Sequence, residues 1–210
     1  PGQKVVLGFS GGADSVALLH VLKELQETLQ FQVFAAHVNH GLRGQAAKFD
    51  AYFARNICSD WDIPFFLKEV DIRSLSKSLG QTEEETGRQV RYGFFYEVME
   101  KIKGDRIATA QHRNDQAETI LHNLIRGTGM QGLGGIRPIR EDVLIRPFLD
   151  VSRQEIEDYI QAQRLVYRED ASNADLVYTR NRIRNQLLPA LAQDYNPDIV
   201  NSLARTGSIL

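Results

Sequence analysis

The sequence is poor in the features that mark secreted and membrane proteins. Cys58 is the only cysteine among 210 residues, which excludes a disulfide framework and a cysteine-rich zinc site. No apolar run approaches the roughly 18 residues that a membrane-spanning helix needs. No signal peptide is visible ahead of the first apolar run. We therefore expect a cytoplasmic protein without a membrane partner.

An excess of either charge is also missing. The chain carries 25 Lys and Arg against 27 Asp and Glu, a formal net charge of −2. Such a molecule has no overall field that attracts nucleic acid, so an RNA partner would need a local basic patch. The hydrophobic share of 42% is typical of a globular protein, and the length suits one large domain or a domain with an appendage.

What the sequence does contain is an alternation of short apolar runs with amphipathic stretches. Four runs predict strands, at residues 4–9, 31–38, 64–70 and 106–110. The stretches between and after them have apolar residues at helical spacing; Phe49, Phe53 and Ile57 mark the second helix. This order predicts an α/β fold with a Rossmann-like parallel sheet and helices on both faces, followed by a helical extension. In such sheets ligands bind beyond the carboxyl ends of the strands.

The segment 10–15, SGGADS, leaves the first predicted strand and enters the first predicted helix. Glycines let backbone N–H groups approach an anion, and a helix N-terminus adds positive partial charge. The pattern lacks the lysine of a G-x-x-x-x-G-K-[ST] loop. An aspartate beside a phosphate calls for a cation, so we expect Asp14 to hold Mg²⁺ together with phosphate oxygens. The alternative is a tight turn in which Asp14 or a serine caps the helix.

A second glycine pattern is a weaker signal. Residues 127–132, GTGMQG, match G-x-G-x-x-G, but they follow a predicted helix rather than a strand. The dinucleotide-binding interpretation requires a preceding strand, so we reject it.

Two carboxylates follow the fourth predicted strand. Asp115 and Glu118 are three residues apart and share one helix face, with Asn114 as the expected N-cap. They could bind an ammonium group, and one of them could accept its proton. The alternative is that acids in a first helical turn only stabilise the helix dipole.

Two arginines are also one turn apart on a predicted helix. Arg88 and Arg91 carry the planar guanidinium that suits carboxylates and phosphates. For Arg88, an ion pair with Glu84 at i, i+4 spacing is the alternative.

The SGGADS segment resembles the loop of the pyrophosphate-loop ATPases, which cleave ATP between the α and β phosphates and adenylate a substrate. Later segments make essentially the whole chain similar to the tRNA(Ile)-lysidine synthetase family. They are 38–43, VNHGLR; 84–92, EETGRQVRY; 110–119, AQHRNDQAET; 126–129, RGTG, with 132–133, GL; and 172–173, SN, with 178–184, YTRNRIR. The resemblance implies an adenine nucleotide α-hydrolase-like catalytic domain over 1–189. Residues 190–210 would begin a helical linker toward further domains.

The resemblance also implies a reaction. ATP adenylates the 2-carbonyl oxygen of the wobble cytidine in an isoleucine tRNA with a CAU anticodon, and the amine of L-lysine then displaces AMP. The implied ATP-binding residues are Ser10, Gly11, Gly12, Ala13, Asp14, Ser15, His37 and Val38. The implied lysine- or phosphate-binding residues are Arg88, Arg91, His112, Asp115 and Glu118; Asp14, Asp115 and Glu118 are the implied catalytic set. The candidate tRNA-binding residues are Arg126, Arg137, Arg180 and Arg184.

Some points stay open at the level of sequence. Gly87, Gln111 and Asn114 depart from the family pattern, and neither Gln111 nor Asn114 is given a role. Rival interpretations are a tRNA thiolase, which a single Cys58 argues against, a nucleotide-binding module without catalysis, and a ligase for small molecules that needs no tRNA. The oligomeric state is open, with a homodimer as one option.

Overall fold

A six-stranded sheet lies at the centre of the computed structural model, which describes residues 2–42, 44–168 and 179–210. Its strands are β1 (Gln3–Gly8), β2 (Phe31–Asn39), β3 (Phe65–Glu69), β4 (Arg106–Ala108), β5 (Ile139–Arg140) and β6 (Leu144–Ile145). The strand order is β3-β2-β1-β4-β6-β5, and all neighbours are parallel except β5 and β6. The predicted α/β fold is confirmed, and each of the four predicted strands is present.

Helices follow the strands as the sequence predicts. They are α1 (Ala13–Leu29), α2 (Gln45–Asp60), α3 (Ile72–Leu79), α4 (Glu83–Ile102), α5 (Arg113–Ile125), α6 (Met130–Leu133), α7 (Arg153–Gln163), α8 (Thr179–Arg182), α9 (Leu188–Asp194) and α10 (Ile199–Ile209). A π-helical segment, Ile183–Leu187, joins α8 to α9. A capping box of Ser152 and Glu155 opens α7. The 127–132 segment follows α5 and runs into α6, which confirms that it lacks the strand a dinucleotide site requires.

The central strand β1 is covered on both faces. Val5 and Leu7 belong to the core cluster on the α1 side, whereas Val6 packs with Phe94 and Phe95 of α4. Continuous burial of this kind is typical of a parallel strand between two helical layers. Gly8 makes the α4 contact possible, because a Cβ atom there would lie 2.5 Å from Cζ of Phe95.

The apolar stripe predicted for α2 packs only in part: Ile57 lies against the core cluster and Phe53 is half-buried. Phe49 is 63% exposed, and the buried residues of the helix are small or paired: Ala47, Asp50, Ala51, Ala54 and Cys58. Small side chains let the helix approach the sheet closely, which leaves the larger aromatic residues on the outer side. In the same way Leu29 and Leu124 are exposed, since they lie in the last turns of α1 and α5.

The C-terminal helices pack against α5. Ala117 and Leu121 of α5 share a core cluster with Ile183 and Leu188, and Leu203 of α10 packs against that cluster. Within the described ranges, no helix combines the length and the apolar character needed to cross a bilayer.

Candidate active site

The loop between β1 and α1 lies at the carboxyl end of the central strand. Gly11 has a φ of +84°, a conformation that favours glycine, and Gly12 is the N-cap of α1 without a side-chain cap. The alternative in which Asp14 or a serine caps the helix is therefore not what forms. Asp14 lies in the first turn, and its carboxylate does not cap the helix.

Two hydroxyl groups hold the loop in shape. The Ser15 hydroxyl accepts from the Gly11 N–H (3.1 Å) and donates to the Gly12 carbonyl (3.0 Å), and the Ser10 hydroxyl accepts from the Gly12 N–H (3.2 Å). The two hydroxyl oxygens are 3.0 Å apart. Short polar groups thus line the N-terminus of α1, as an anion site requires.

A distant segment crosses the same loop. The backbone N–H of Arg168 donates to the Gly11 carbonyl (3.0 Å), and its Nε donates to Asp50 of α2 (2.8 Å). Sequence reasoning missed this contact, because nothing local in the sequence connects residues 118 positions apart.

The edge of β2 beside this loop is open. β1 pairs with β2 only as far as Gly8 and Ala36, whereas β3 continues beside His37 and Val38. The side chain of His37 is buried, with Nδ1 2.8 Å from the Phe9 carbonyl oxygen, and burial lowers its pKa. The strand pairing of β1 with β2 ends before residue 38, whose backbone groups face the β1 side, and the sequence interpretation places the adenine at residues 37 and 38.

His112 links the loop to the carboxylates of α5. Its Nε2 is 3.7 Å from Oδ2 of Asp14 and 3.5 Å from Oδ2 of Asp115. The Asn114 N–H donates to Nδ1 (3.2 Å), so the ring hydrogen of the neutral tautomer lies on Nε2, between the two acids. His112, and not Asn114, is therefore the N-cap of α5; the Asn114 side chain accepts instead from the Arg153 N–H.

Glu118 and Asp115 share one guanidinium. Arg184 donates from Nε to Glu118 (2.6 Å), and from one terminal nitrogen to Glu118 (3.0 Å) and to Asp115 (2.9 Å). Arg184 is one of the tRNA-binding candidates of the sequence, and in this structure its side chain is bound to two carboxylates. Only 1% of Glu118 is exposed, and a buried carboxylate needs such a partner.

Burial raises the pKa values of two acids of this site, Asp14 and Glu118. Burial raises the pKa of Asp14, and the neighbouring Asp115 adds to the rise while His112 opposes it. Burial also raises the pKa of Glu118, although its hydrogen bonds with Arg184 pull the other way. Carboxyl groups with raised pKa values in a cleft are candidates for proton transfer.

A positive cluster lies on the neighbouring elements. Arg88 stacks over the ring of Tyr92 (5.4 Å) and makes no ion pair with Glu84, both residues being described. Desolvation lowers the pKa of Arg91, and the charges of Arg88 and Arg180 lower it further. The charge of Arg180, a tRNA-binding candidate of the sequence, thus acts on Arg91, a candidate for lysine or phosphate binding. An anion would relieve their mutual repulsion.

The other candidate arginines lie outside this cluster. Arg126 and Arg137 are exposed, one at the end of α5 and one in the glycine-rich connection before β5. Arg146, missed as a site residue, is buried and donates to Gln111 (3.1 Å), whose oxygen also accepts from Thr109. Gln111 thus supports the strand end. The quoted motif residues 172–173 and 178 lie outside the described residues.

The carboxylate of Asp14 fits a magnesium ion that also binds phosphate. Mg²⁺ is commonly held by one or two carboxylates together with substrate phosphates. No group of three or more His, Cys, Asp or Glu side chains suited to a metal occurs in the described part of the chain.

Comparison with known proteins agrees with this arrangement. The model of the PP-loop domain matches residues 1–191. The chain belongs to the PP-loop domain family. It is 44% identical over 209 residues to a tRNA(Ile)-lysidine synthase of Clostridioides difficile, 45% identical over 204 residues to one of Clostridium perfringens, and 42% identical over 208 residues to one of a Thermotoga species. The alignments cover 100%, 97% and 99% of this chain, and 45%, 44% and 50% of those proteins.

Two solved structures of low sequence identity have a similar fold. A U34-tRNA thiolase of Methanococcus maripaludis, solved with its 4Fe-4S cluster, superposes with a TM-score of 0.81 at 18% identity, covering 99% of this chain and 72% of that one. A glutamine-dependent NAD⁺ synthetase of Acinetobacter baumannii in complex with ADP gives a TM-score of 0.51 at 17% identity, covering 98% and 39%. At these identities the likeness concerns the fold alone.

Proposed function

We propose that this chain joins L-lysine to the wobble cytidine of an isoleucine tRNA with a CAU anticodon, at the expense of ATP. One observation carries the proposal: Asp14 of the glycine-rich loop and Asp115 of the Asp115–Glu118 pair both lie within 4 Å of Nε2 of His112, at the carboxyl edge of the sheet. The family membership and the 41–45% identity to proteins named tRNA(Ile)-lysidine synthase support it.

The phosphate loop would hold the pyrophosphate leaving group. The N–H groups of Gly11 and Gly12 exchange their bonds with the Ser10 and Ser15 hydroxyls for bonds to phosphate oxygens, and the N-terminus of α1 adds its partial positive charge. Mg²⁺ on Asp14 would neutralise the charge that develops as the α–β bond breaks. The adenine would lie against the open edge of β2 at His37 and Val38, and AMP would leave in the second step.

Asp115 and Glu118 would bind the ammonium group of lysine. The guanidinium of Arg184 already shows that this pair accepts a cation, through three hydrogen bonds of 2.6–3.0 Å. Lysine would take over part of these bonds. The nearby Arg88, Arg91 and Arg180 would then face the lysine carboxylate or a tRNA phosphate.

The lysine amine must lose a proton before it attacks the adenylated base. Glu118 suits this role, because burial raises its pKa toward the range in which a carboxylate is an effective general base. His112 holds its Nε2 hydrogen between Asp14 and Asp115 and so orients both carboxylates.

A sulfur-transfer reaction of the thiolase kind is not favoured. Cys58 is the only cysteine of the chain, and it is fully buried in α2. Burial raises the pKa of its thiol to about 12, so the thiolate that such chemistry needs does not form.

The test is a single-pot assay of both half-reactions. The chain is incubated with ATP labelled in the α-phosphate, Mg²⁺, labelled lysine and a CAU-anticodon isoleucine tRNA transcript. We expect labelled AMP and labelled RNA in equal amounts, and neither product from Asp14→Asn. Glu118→Gln should bind ATP normally but incorporate no lysine. Release of AMP that does not depend on tRNA would point instead to a small-molecule ligase.

A further inference from the structure

The helix α2 exposes two aromatic side chains that do not contribute to the core. Phe49 and Tyr52 are 63% and 65% exposed, and with Gln45 and Lys48 they line a cavity of about 310 Å³. The opposite face of α2, built from alanines and Cys58, makes the contact with the sheet. Phe49 and Tyr52 are three residues apart, so their rings lie on the same exposed face of the helix.

This surface is continuous with the phosphate loop. Phe53 lies one turn after Phe49, and a Cβ atom on Gly11 would be 3.4 Å from Cδ1 of Phe53. The helix α2 also starts beyond the carboxyl end of β2, so its first turns lie at the edge of the sheet that carries the candidate active site. A row of rings therefore runs from Gly11 outward to Phe49 and Tyr52.

The charge around the rings is positive. Between residues 44 and 59 the exposed charged side chains are Lys48 and Arg55, whose guanidinium lies 5.8 Å from the centre of the Phe65 ring, and the exposed Asp60 ends the helix two turns after Tyr52. The one acid in that range, Asp50, is buried and bound to Arg168 at 2.8 Å. Rings with adjacent cations are the combination by which proteins bind single-stranded nucleic acid: bases stack on the rings, and the cations contact the backbone. A purely apolar protein segment would not require Lys48.

We propose that Phe49 and Tyr52 form a stacking platform for an unpaired RNA nucleotide next to the reacting cytidine, with Lys48 on its phosphate. The inference rests on the proposed function. A cytidine that reaches the α-phosphate of ATP has to leave the stack of its loop. Its neighbour then loses a stacking partner, and the rings beside the phosphate loop replace it.

The test uses an RNA stem-loop with the CAU anticodon, in which 2-aminopurine replaces the adenine. Stacking on the platform should quench its fluorescence when the wild-type chain binds. The double variant Phe49→Ala, Tyr52→Ala should bind at least about tenfold more weakly and lose the quenching. Phe49→Trp should keep both, because the larger ring still stacks.

The matched control is Leu29→Ala, since Leu29 is 59% exposed at the far end of α1. Its RNA binding should equal that of wild type, and binding of a non-hydrolysable ATP analogue should be the same in every variant. Circular dichroism checks that all variants fold.

Four results would overturn the platform. They are no RNA binding by the wild-type chain, equal RNA binding by the double variant, loss of nucleotide binding together with RNA binding, and a change in self-association alone, which would make the surface a protein interface. The proposed function is decided separately by lysine incorporation. If the double variant incorporates as much lysine as wild type, the proposed function stands and the platform is refuted. If the wild-type chain quenches the fluorescence but incorporates no lysine, the platform stands and the proposed function is refuted.

Discussion

At the scale of single residues, the contact between Arg184 and Glu118 is the one on which the site most depends. A carboxylate with 1% exposure is stabilised by a guanidinium that comes from a π-helical segment 66 residues away. Local distortions of this type are frequent at functional sites, because they re-aim one side chain without changing the rest of the helix.

Removing the guanidinium should therefore destabilise the protein. We predict that Arg184→Met lowers the free energy of unfolding by about 3 kcal/mol, because it leaves Glu118 charged and buried without its partner. The double variant with Glu118→Gln should be less destabilised than Arg184→Met alone. Urea unfolding at neutral pH measures both. A loss of under about 0.5 kcal/mol for the single variant would contradict the pairing.

Asp14 makes the stability of the folded protein depend on pH, and the direction of its pKa shift gives the sign. Because burial raises its pKa in the folded state, the folded protein holds a proton at pH values where the unfolded chain has lost it. The stabilisation that this proton gives the folded state is fully present below the ordinary pKa of 3.8. It is lost as the pH rises through the raised pKa of the folded state.

Replacing Asp14 by Asn removes this pH-dependent contribution to stability. We predict that the melting temperature of Asp14→Asn, measured relative to wild type, increases as the pH is raised from about 4 to about 7. The comparison at each pH cancels the titration of all other groups that the variant leaves unchanged. A difference that stays constant across this range would show that the Asp14 pKa is not raised.

Local spacing explains which site residues could be predicted. The SGGADS segment, Asp115 and Glu118 each follow a predicted strand directly, so their position at the carboxyl edge follows from the strand order alone. Arg184 and Arg168 could not be placed in this way, because their partners are 66 and 118 residues distant and depend on how the helices pack. His112 is the N-cap in place of Asn114 because the helix begins at Arg113 and the imidazole Nδ1 accepts from the Asn114 N–H.

At the scale of elements, the periodicity of apolar residues predicts the sheet and the larger helices. It does not always predict which face of a helix is buried. The strands β5 and β6 have two residues each, too few for any pattern, and they form because Leu144 and Ile145 continue the sheet beside β4. In α2 the largest apolar residues suggest a buried face, yet close packing selects the small ones.

Close approach of α4 to β1 supplies a third prediction. Gly8→Ala should destabilise the protein by about 2 kcal/mol, because its Cβ would lie 2.5 Å from the Phe95 ring. The matched control is Gly93→Ala on α4, where a Cβ meets nothing within 4 Å. That change should stabilise the helix by up to about 1 kcal/mol. Equal effects at the two glycines, measured by thermal unfolding, would refute the contact.

At the scale of the whole molecule, a formal charge of −2 leaves RNA binding to local positive charge. The charges of Arg88 and Arg180 act on Arg91, whereas Arg184 is bound to Glu118 and Asp115. We therefore expect only a few contacts between basic side chains and tRNA phosphates, and a correspondingly small dependence of the tRNA affinity on salt.

The salt dependence can be tested at one member of the cluster. Arg180→Gln should weaken tRNA binding and reduce the slope of log affinity against log salt by about one. The control is Arg106→Gln, since Arg106 opens β4 at the opposite edge of the sheet and binds the neighbouring Asp105 carbonyl. Filter binding between 50 and 200 mM salt, the approximate range over which such slopes are resolved, gives both values. An unchanged slope for Arg180→Gln would remove it from the RNA surface.

The central claim is that ATP, lysine and a cytidine meet at the carboxyl edge of this sheet. Mass spectrometry of nucleosides from an isoleucine tRNA incubated with the chain, ATP, Mg²⁺ and lysine tests it most directly. The account predicts a cytidine at the wobble position that carries one lysine, absent when ATP is omitted or Asp14 is replaced by Asn. An unmodified cytidine with ATP cleaved, or sulfur in place of an oxygen of the base, would contradict it.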